Sequence, residues 1–360
     1  TQGNNVPDFE CNIANYVGAK HAIAVNSATS ALHIAYLALG IDNQSRVWTT
    51  PITFVATTNA ALMCGAQIDF VDIDPETSNI CPLALESKLT AAEVDGDLPD
   101  LVVVVHLGGY SCDMKSIFKL SKKYNFKIVE DASHAVGGKF FELYVGKCDY
   151  SDITIFSFHP VKIITTGEGG AALTNDSSLA HKMALLRSHG ITRRNDEMTK
   201  TTDGPWYYQQ HLLGFNYRMN DISAALGVSQ LKRLDEFVVE RQSIANRYNQ
   251  YFRGTNVKTP NKNKNILSSF HLYIIKVDEK IRNDLFRRLR ETGIFVNLHY
   301  IPIYRQPYYS ALGFLPKNYP EAEKYYREAI SIPIFPGLSN KDQNYVVENI
   351  LKPSGQQVLF

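Results

Sequence analysis

One lysine stands in a stretch that gives it no charged company. From Phe156 to Gly167 the only formal charge is Lys162, and a glycine-rich turn follows. Burial disfavours an ammonium, and a neutral amine can attack a carbonyl. Taken alone, such a lysine reads more readily as a surface-loop residue. Two other stretches bear on it. FKIVEDASHAVGG, residues 126–138, reads as a short strand, Lys127 to Val129, with Glu130 and Asp131 at its carboxyl end. HAIAVNSATSALHIAYLAL, residues 21–39, reads as a strand from Ala22 to Val25, a hydroxyl-rich turn and an apolar helix. Unpaired amides at a helix start, joined by Ser and Thr hydroxyls, form an anion site. An amine, a carboxylate and an anion cradle thus each follow a strand. In open α/β sheets those strand ends face the ligand crevice. Pyridoxal phosphate needs this trio: a lysine for its aldehyde, an acid for its ring nitrogen and donors for its phosphate.

The elements that must position these groups alternate along the chain. Strands are expected at Val47–Thr50, Ile68–Ile73, Leu101–Val105, Asp152–Phe158 and Ala171–Thr174, with helices between most of them. Leu101–Val105 is continuously apolar, as a strand covered on both faces is. The alternation predicts an α/β fold with a mostly parallel sheet. Residues 191–210 are polar and aperiodic and read as a long, mobile loop. One long helix is expected from Asn220 to about Phe252, leading out of a large domain, residues 1–252. A basic, Asn-rich linker opens a smaller α/β domain, residues 253–360. Its strands are expected at Phe270–Val277, Phe295–Tyr300 and Ile330–Ile334, and its helices at Lys280–Thr292, Glu321–Ala329 and from Lys341 onward.

Bulk properties narrow the function. A chain of 360 residues exceeds one comfortable core. A net charge of +1 gives no electrostatic reason to expect nucleic acid or an anionic membrane. No apolar run approaches a membrane span of roughly 18 residues. The five cysteines, Cys11, Cys64, Cys81, Cys112 and Cys148, form no CxxC or Cys/His cluster, so neither a metal site nor a disulfide framework is indicated. Their scatter fits a reducing cytoplasm. No signal peptide is seen.

The strings NSATSAL, TPITFVATTNA, EDASHAVGG, FSFHPVKIITTGEGGAALTND, GFNYRMNDISAALG and HYIPIY occur in family order and resemble the DegT-type sugar aminotransferases. The resemblance runs from Thr1 to about Leu338. It implies a pyridoxal phosphate enzyme of fold type I, with pyridoxamine phosphate as the intermediate form, acting on nucleotide-linked 4-keto sugars. TTPITFVATTN, LRSHGI and HYIPIY look most like the branch that makes UDP-4-amino-4,6-dideoxy-N-acetyl-β-L-altrosamine, a precursor of pseudaminic acid. The family has a helix before the TQG element at Thr1 to Gly3, so the natural N-terminus is expected to be missing here.

The resemblance also implies roles. Lys162 would hold the cofactor aldehyde and later move the proton. Some relatives carry histidine there and catalyse dehydration, so lysine argues for transamination. Asp131 would pair with the ring nitrogen, and His134 would pack near the ring. Ala28, Thr29 and Ser157 would hold the phosphate, with Asn216 reaching it from the partner of a homodimer. Phe54 would stack on the ring. His159, Glu168, Arg187, His299 and Tyr300 would line the substrate side. Each type has a plainer reading: a loop-capping acid, a satisfied histidine, an ST-turn, a core aromatic. L-Glutamate is the expected donor and a UDP-linked 4-ketosugar the acceptor. A GDP- or dTDP-linked sugar, or a pyridoxal phosphate-binding regulator, are the alternatives. A nicotinamide enzyme is disfavoured, since no GxGxxG follows the first strand.

Overall fold

A computed structural model describes residues 3–260 and 263–352 of the chain. Most of the opening TQG element and all of Ser354–Phe360 lie outside the described residues.

The main sheet has seven strands: β1 (His21–Val25), β2 (Arg46–Thr49), β3 (Gln67–Phe70), β4 (Leu101–Val105), β5 (Lys127–Asp131), β6 (Ile153–Ser157) and β7 (Gly170–Thr174). Their order across the sheet is β1-β7-β6-β5-β4-β2-β3. Pairings from β6 through β5, β4 and β2 to β3 are all parallel. Strand β7 runs antiparallel to both its neighbours, β1 and β6. The mostly parallel α/β expectation therefore holds, with one reversed strand where the chain returns from the lysine turn.

Alternation along each strand sends side chains to two cores. Val25, Val103, Val129 and Ile155 pack with Leu32, Ile34 and Tyr36 of helix α2 (Ala28–Ala38). On the opposite face Ala24, Ala171 and Phe156 meet Phe9 and Ile13 of helix α1 (Asn5–Val17). Further along that face, Val102, Val104 and Ile128 meet Ile117 and Leu120. Each fully buried aliphatic or aromatic side chain here contributes about 1.5–3 kcal/mol relative to exposure. The run Leu101–Val105 is buried at every position, as its unbroken apolar sequence requires.

The long helix expected from Asn220 divides in two. One part spans Asp221–Leu231, capped by the Asn220 side chain accepting from the Ser223 N–H. The second spans Leu234–Tyr251, and Arg233 between them leaves helical geometry at φ −104° and ψ 0°. Gly227 in the first part lies so close to α1 that an added Cβ would sit 2.7 Å from the Phe9 ring.

The C-terminal part is built on an antiparallel pair, Tyr273–Lys276 with Ala329–Ile332. Tyr273, Ile275 and Ile330 pack against Ile244 and Tyr248 of the preceding helix and Leu285, Leu289 and Val347 of two later ones. Arg241 ties it down by donating to the carbonyls of Phe270 and Ile334, each at 3.0 Å. The third strand expected at Phe295–Tyr300 does not form. Only Asn297 bridges to Ser331, and Phe295 is 80% exposed. Residues 191–210 carry a short pairing, Ile191–Thr192 with Gln209–Gln210, rather than a bare loop.

Candidate active site

A cavity of about 290 Å³ opens at the carboxyl ends of β4, β5 and β6. Its size falls at the low end of small-molecule sites. The lysine turn forms one wall. Phe158 N–H donates to Gly169 O and Thr166 N–H to Phe158 O, both at 2.9 Å, closing the turn on itself. Buried Ile163 and Ile164 anchor it, and Lys162, half-buried, lines the cavity. Burial pushes the amine down to about 8, while Asp131 opposes the shift. An uncharged amine is therefore within reach near neutral pH.

Asp131 ends β5 and is buried. Its Oδ2 accepts from Thr57 Oγ1 at 2.7 Å, and its Oδ1 from Ser133 Oγ at 2.6 Å and Ser133 N–H at 3.2 Å. These bonds fix the carboxylate on the cavity wall. Thr57 in turn meets Thr53 Oγ1 at 2.8 Å, four residues earlier in the loop before the helix.

The anion cradle is the start of α2. Ser27 caps the helix by accepting from the Ser30 N–H at 3.1 Å. Ala28 and Thr29 line the cavity with first-turn amides, which no intrahelical carbonyl can satisfy. Ser157, ending β6, lies beside them. Strand β7 runs close behind: a Cβ on Gly170 would stand 2.5 Å from Ala28 N. Glycine is required there, because a Cβ would collide with the Ser27–Ala28 backbone that forms the cradle.

His134 is buried; Gly108 N–H donates to its Nδ1 at 3.3 Å, and its Nε2 faces the Tyr300 hydroxyl at 3.1 Å. Burial, then Lys162, His271 and His299, hold His134 well below the ordinary histidine range, so the ring is neutral. His299, with Nδ1 2.8 Å from Ser331 Oγ, is pushed down to about 4, chiefly by burial. Burial pushes the Tyr300 phenol upward, and Asp131 adds to the shift. Phe54 is 57% exposed on the cavity rim, 6.0 Å from the Tyr300 ring. His159 and Glu168 stand 3.8 Å apart at the mouth.

Two residues named from the sequence are not part of this cavity. Arg187, expected on the substrate side, turns away: Nη1 pairs with Glu10 and donates to Ala24 O at 2.8 Å. It stitches β1 to α1, held there by the half-buried Glu10 carboxylate and the Ala24 carbonyl. Asn216 is exposed and bridges to Ser188, outside the cavity of its own chain. Thr57, Ser133 and Ser27, which hold the acid and cap the cradle, were not among the expected residues. The four-residue spacing of Thr53 and Thr57 was the available signal.

The donor set fits pyridoxal phosphate: an amine, a fixed carboxylate and a cradle of free amides share one cavity. Among the described residues no cluster of His, Cys, Asp or Glu is arranged to hold a metal ion. No described helix is long and apolar enough to cross a membrane.

Comparison with known proteins bears on this geometry. The DegT/DnrJ/EryC1/StrS aminotransferase family matches residues 1–351. A UDP-4-amino-4,6-dideoxy-N-acetyl-beta-L-altrosamine transaminase of Campylobacter jejuni is 40% identical, over 97% of this chain and 90% of the relative. Among solved structures, Helicobacter pylori PseC, an aminotransferase involved in pseudoaminic acid biosynthesis, superimposes with a TM-score of 0.88 at 33% identity. The match covers 98% of this chain and 91% of PseC. The PLP form of the putative sugar aminotransferase Spr1654 from Streptococcus pneumoniae has a TM-score of 0.87 at 28% identity, covering 100% and 93% of the two chains. The chain belongs to the DegT/DnrJ/EryC1/StrS aminotransferase family, as a pyridoxal phosphate-dependent sugar aminotransferase of fold type I.

Proposed function

We propose that the enzyme moves an amino group from L-glutamate to C4 of a UDP-linked 4-keto-6-deoxy-N-acetylhexosamine, in nucleotide-sugar synthesis of the pseudaminic acid type. The observation that carries the reading is the Lys162 amine, lowered toward neutrality by burial, in one cavity with the fixed Asp131 carboxylate. Identity of 40% to the Campylobacter jejuni transaminase supports the UDP-linked acceptor.

When bound, the cofactor supplies an electron sink for the carbon that loses a proton and an aldehyde that carries nitrogen between substrates. The chain's own residues do the rest. Lys162 would hold the aldehyde and, as a free amine, would take and return the proton. Asp131 keeps the ring nitrogen protonated. The Ala28 and Thr29 amides and the Ser157 hydroxyl bind phosphate. Phe54 and His134, both lining the cavity, would hold the ring. His159, Glu168, His299 and Tyr300 line the sugar side. Arg187 contributes by holding β1, which delivers the cradle, against α1.

The working unit in this reading is a homodimer in which Asn216 serves the other copy's phosphate. Exposed apolar residues support this: Val161 at 61% on the cavity rim, Leu213 at 79% and Ile222 at 86%. The chain divides near residue 252 into a large cofactor-binding domain and a small C-terminal one, and works in the cytoplasm, where its sugar-nucleotide substrate would be made.

Purified enzyme is to be given L-glutamate with UDP-, GDP- and dTDP-linked 4-ketosugars, with 2-oxoglutarate release as the readout. Fastest turnover on the UDP sugar, with ping-pong kinetics, is expected. A preference for GDP or dTDP sugars would replace the acceptor. Cofactor binding without turnover on any of them would favour a regulator.

A further inference from the structure

A run of hydrogen bonds behind the cavity decides where two protons lie. Strand β4 passes into His106, and the chain turns through Leu107–Gly109. That turn is held firmly. His106 N–H donates to Asp131 O at 3.2 Å, and Leu107 N–H to Asn79 Oδ1 at 3.0 Å. The His106 ring is clamped as well, with Nε2 2.7 Å from Glu130 and Nδ1 accepting from the Cys112 N–H at 3.1 Å. The Gly108 N–H is thereby aimed at His134 Nδ1.

A backbone amide can only donate. The Nδ1 that accepts from it carries no proton, so the neutral imidazole must carry its hydrogen on Nε2. Lys162, His271 and His299 around the ring oppose a second proton. The Nε2–H faces Tyr300 Oη and makes that oxygen an acceptor. A phenol has one O–H, and it must point elsewhere. Tyr300 lines the cavity that holds Lys162, and among the described residues its hydroxyl has no hydrogen-bond partner besides His134, so its O–H is free to point into that cavity.

We propose that the Gly108 N–H fixes the tautomer of His134, that His134 is thereby a positioning residue, and that Tyr300 presents a hydrogen-bond donor into the cavity. Its acceptor is an oxygen: the phenolic oxygen of the cofactor or the carbonyl oxygen of the ketosugar. The identity of that acceptor rests on the function proposed above; the proton positions do not.

Histidine nitrogen NMR on the cofactor-free full-length protein tests the first part. The expected result is an Nε2–H tautomer at His134 with no titration between about pH 6 and 8. An Nδ1–H tautomer, or protonation in that window, overturns the proposal, whatever the enzyme does with sugars. Binding measurements on Tyr300→Phe test the second part. Loss of one hydrogen bond should weaken binding roughly two- to tenfold. Weakened binding of pyridoxal phosphate alone assigns the acceptor to the cofactor. Intact cofactor binding with weakened sugar-nucleotide binding to the loaded enzyme assigns it to the sugar. Unchanged affinity in both arms overturns the donor. His134→Gln, whose amide can accept from Gly108 and donate to Tyr300, should retain more of the affinity than His134→Leu. Equal losses in the two variants overturn the positioning role.

Discussion

Glu130 and Asp131 are neighbours on one strand and face opposite sides of the sheet. Glu130 is sealed in: His106 Nε2 lies at 2.7 Å, Thr154 donates at 3.0 Å, and Ser151 completes the set. Burial alone would raise its pKa, but these bonds outweigh it and hold the carboxyl below the ordinary range. Asp131 has two side-chain partners and keeps one side on the cavity. Each carboxylate accepts three internal hydrogen bonds, so the difference lies in what each faces: Glu130 is enclosed by protein, whereas Asp131 lines a cavity that a ligand can enter.

The sharpest division is expected at the amine. Lys162→Ala should lower transamination by about 10²–10⁴-fold, with the visible band of bound cofactor lost and no loss of thermal stability in the cofactor-free protein. A variant that keeps both band and turnover would remove the cavity side of the comparison.

The two carboxylates should then separate by readout. Glu130→Ala strands a buried histidine and two hydroxyls and should cost on the order of 3 kcal/mol in denaturant unfolding. Asp131→Asn should leave stability within about 1 kcal/mol and lose most of its turnover. Should Asp131→Asn unfold the protein and Glu130→Ala lower only turnover, the assignment of faces is reversed.

Lysine also leaves a mark on stability. Its folded pKa, about 8, lies below the ordinary 10.5. The unfolded chain therefore binds more protons between those values, and stability rises with pH across that window. The cost is full below about 8. Lys162→Met should thus stabilise the cofactor-free protein at pH 7 by about 1–3 kcal/mol, an advantage that fades toward pH 10.5. A constant difference across the range would contradict the burial of the amine.

The smallest effect belongs to the cradle. Ser27→Ala removes the cap of α2 and should cost about 1 kcal/mol, together with weaker retention of cofactor at high phosphate.

Much of this arrangement was legible in the sequence, because it follows from local chemistry. The turn after Phe158, the acid ending Lys127–Asp131 and the hydroxyl-rich helix start all lie where strand and helix signals change. What escaped depends on contacts distant in sequence. The break before Leu234 has no Pro or Gly to announce it. Phe295–Tyr300 alternates well enough for a strand but finds a single bridging partner. Arg187 is drawn to Glu10, far away in the chain, so no local pattern reveals its direction. Thr57 reaches Asp131 only after helix and strand have packed together.

The reversed strand β7 has a mechanical consequence. It is bonded on one side to the strand that leads into the Ser27–Ser30 turn and on the other to the strand that leads to Lys162. Adjacent strands keep a spacing of about 4.8 Å whatever side chains they carry. The span between Lys162 and the start of α2 is thus gauged by the backbone itself. Side-chain substitutions can retune how tightly a molecule is gripped, but the length of molecule that reaches both ends stays the same.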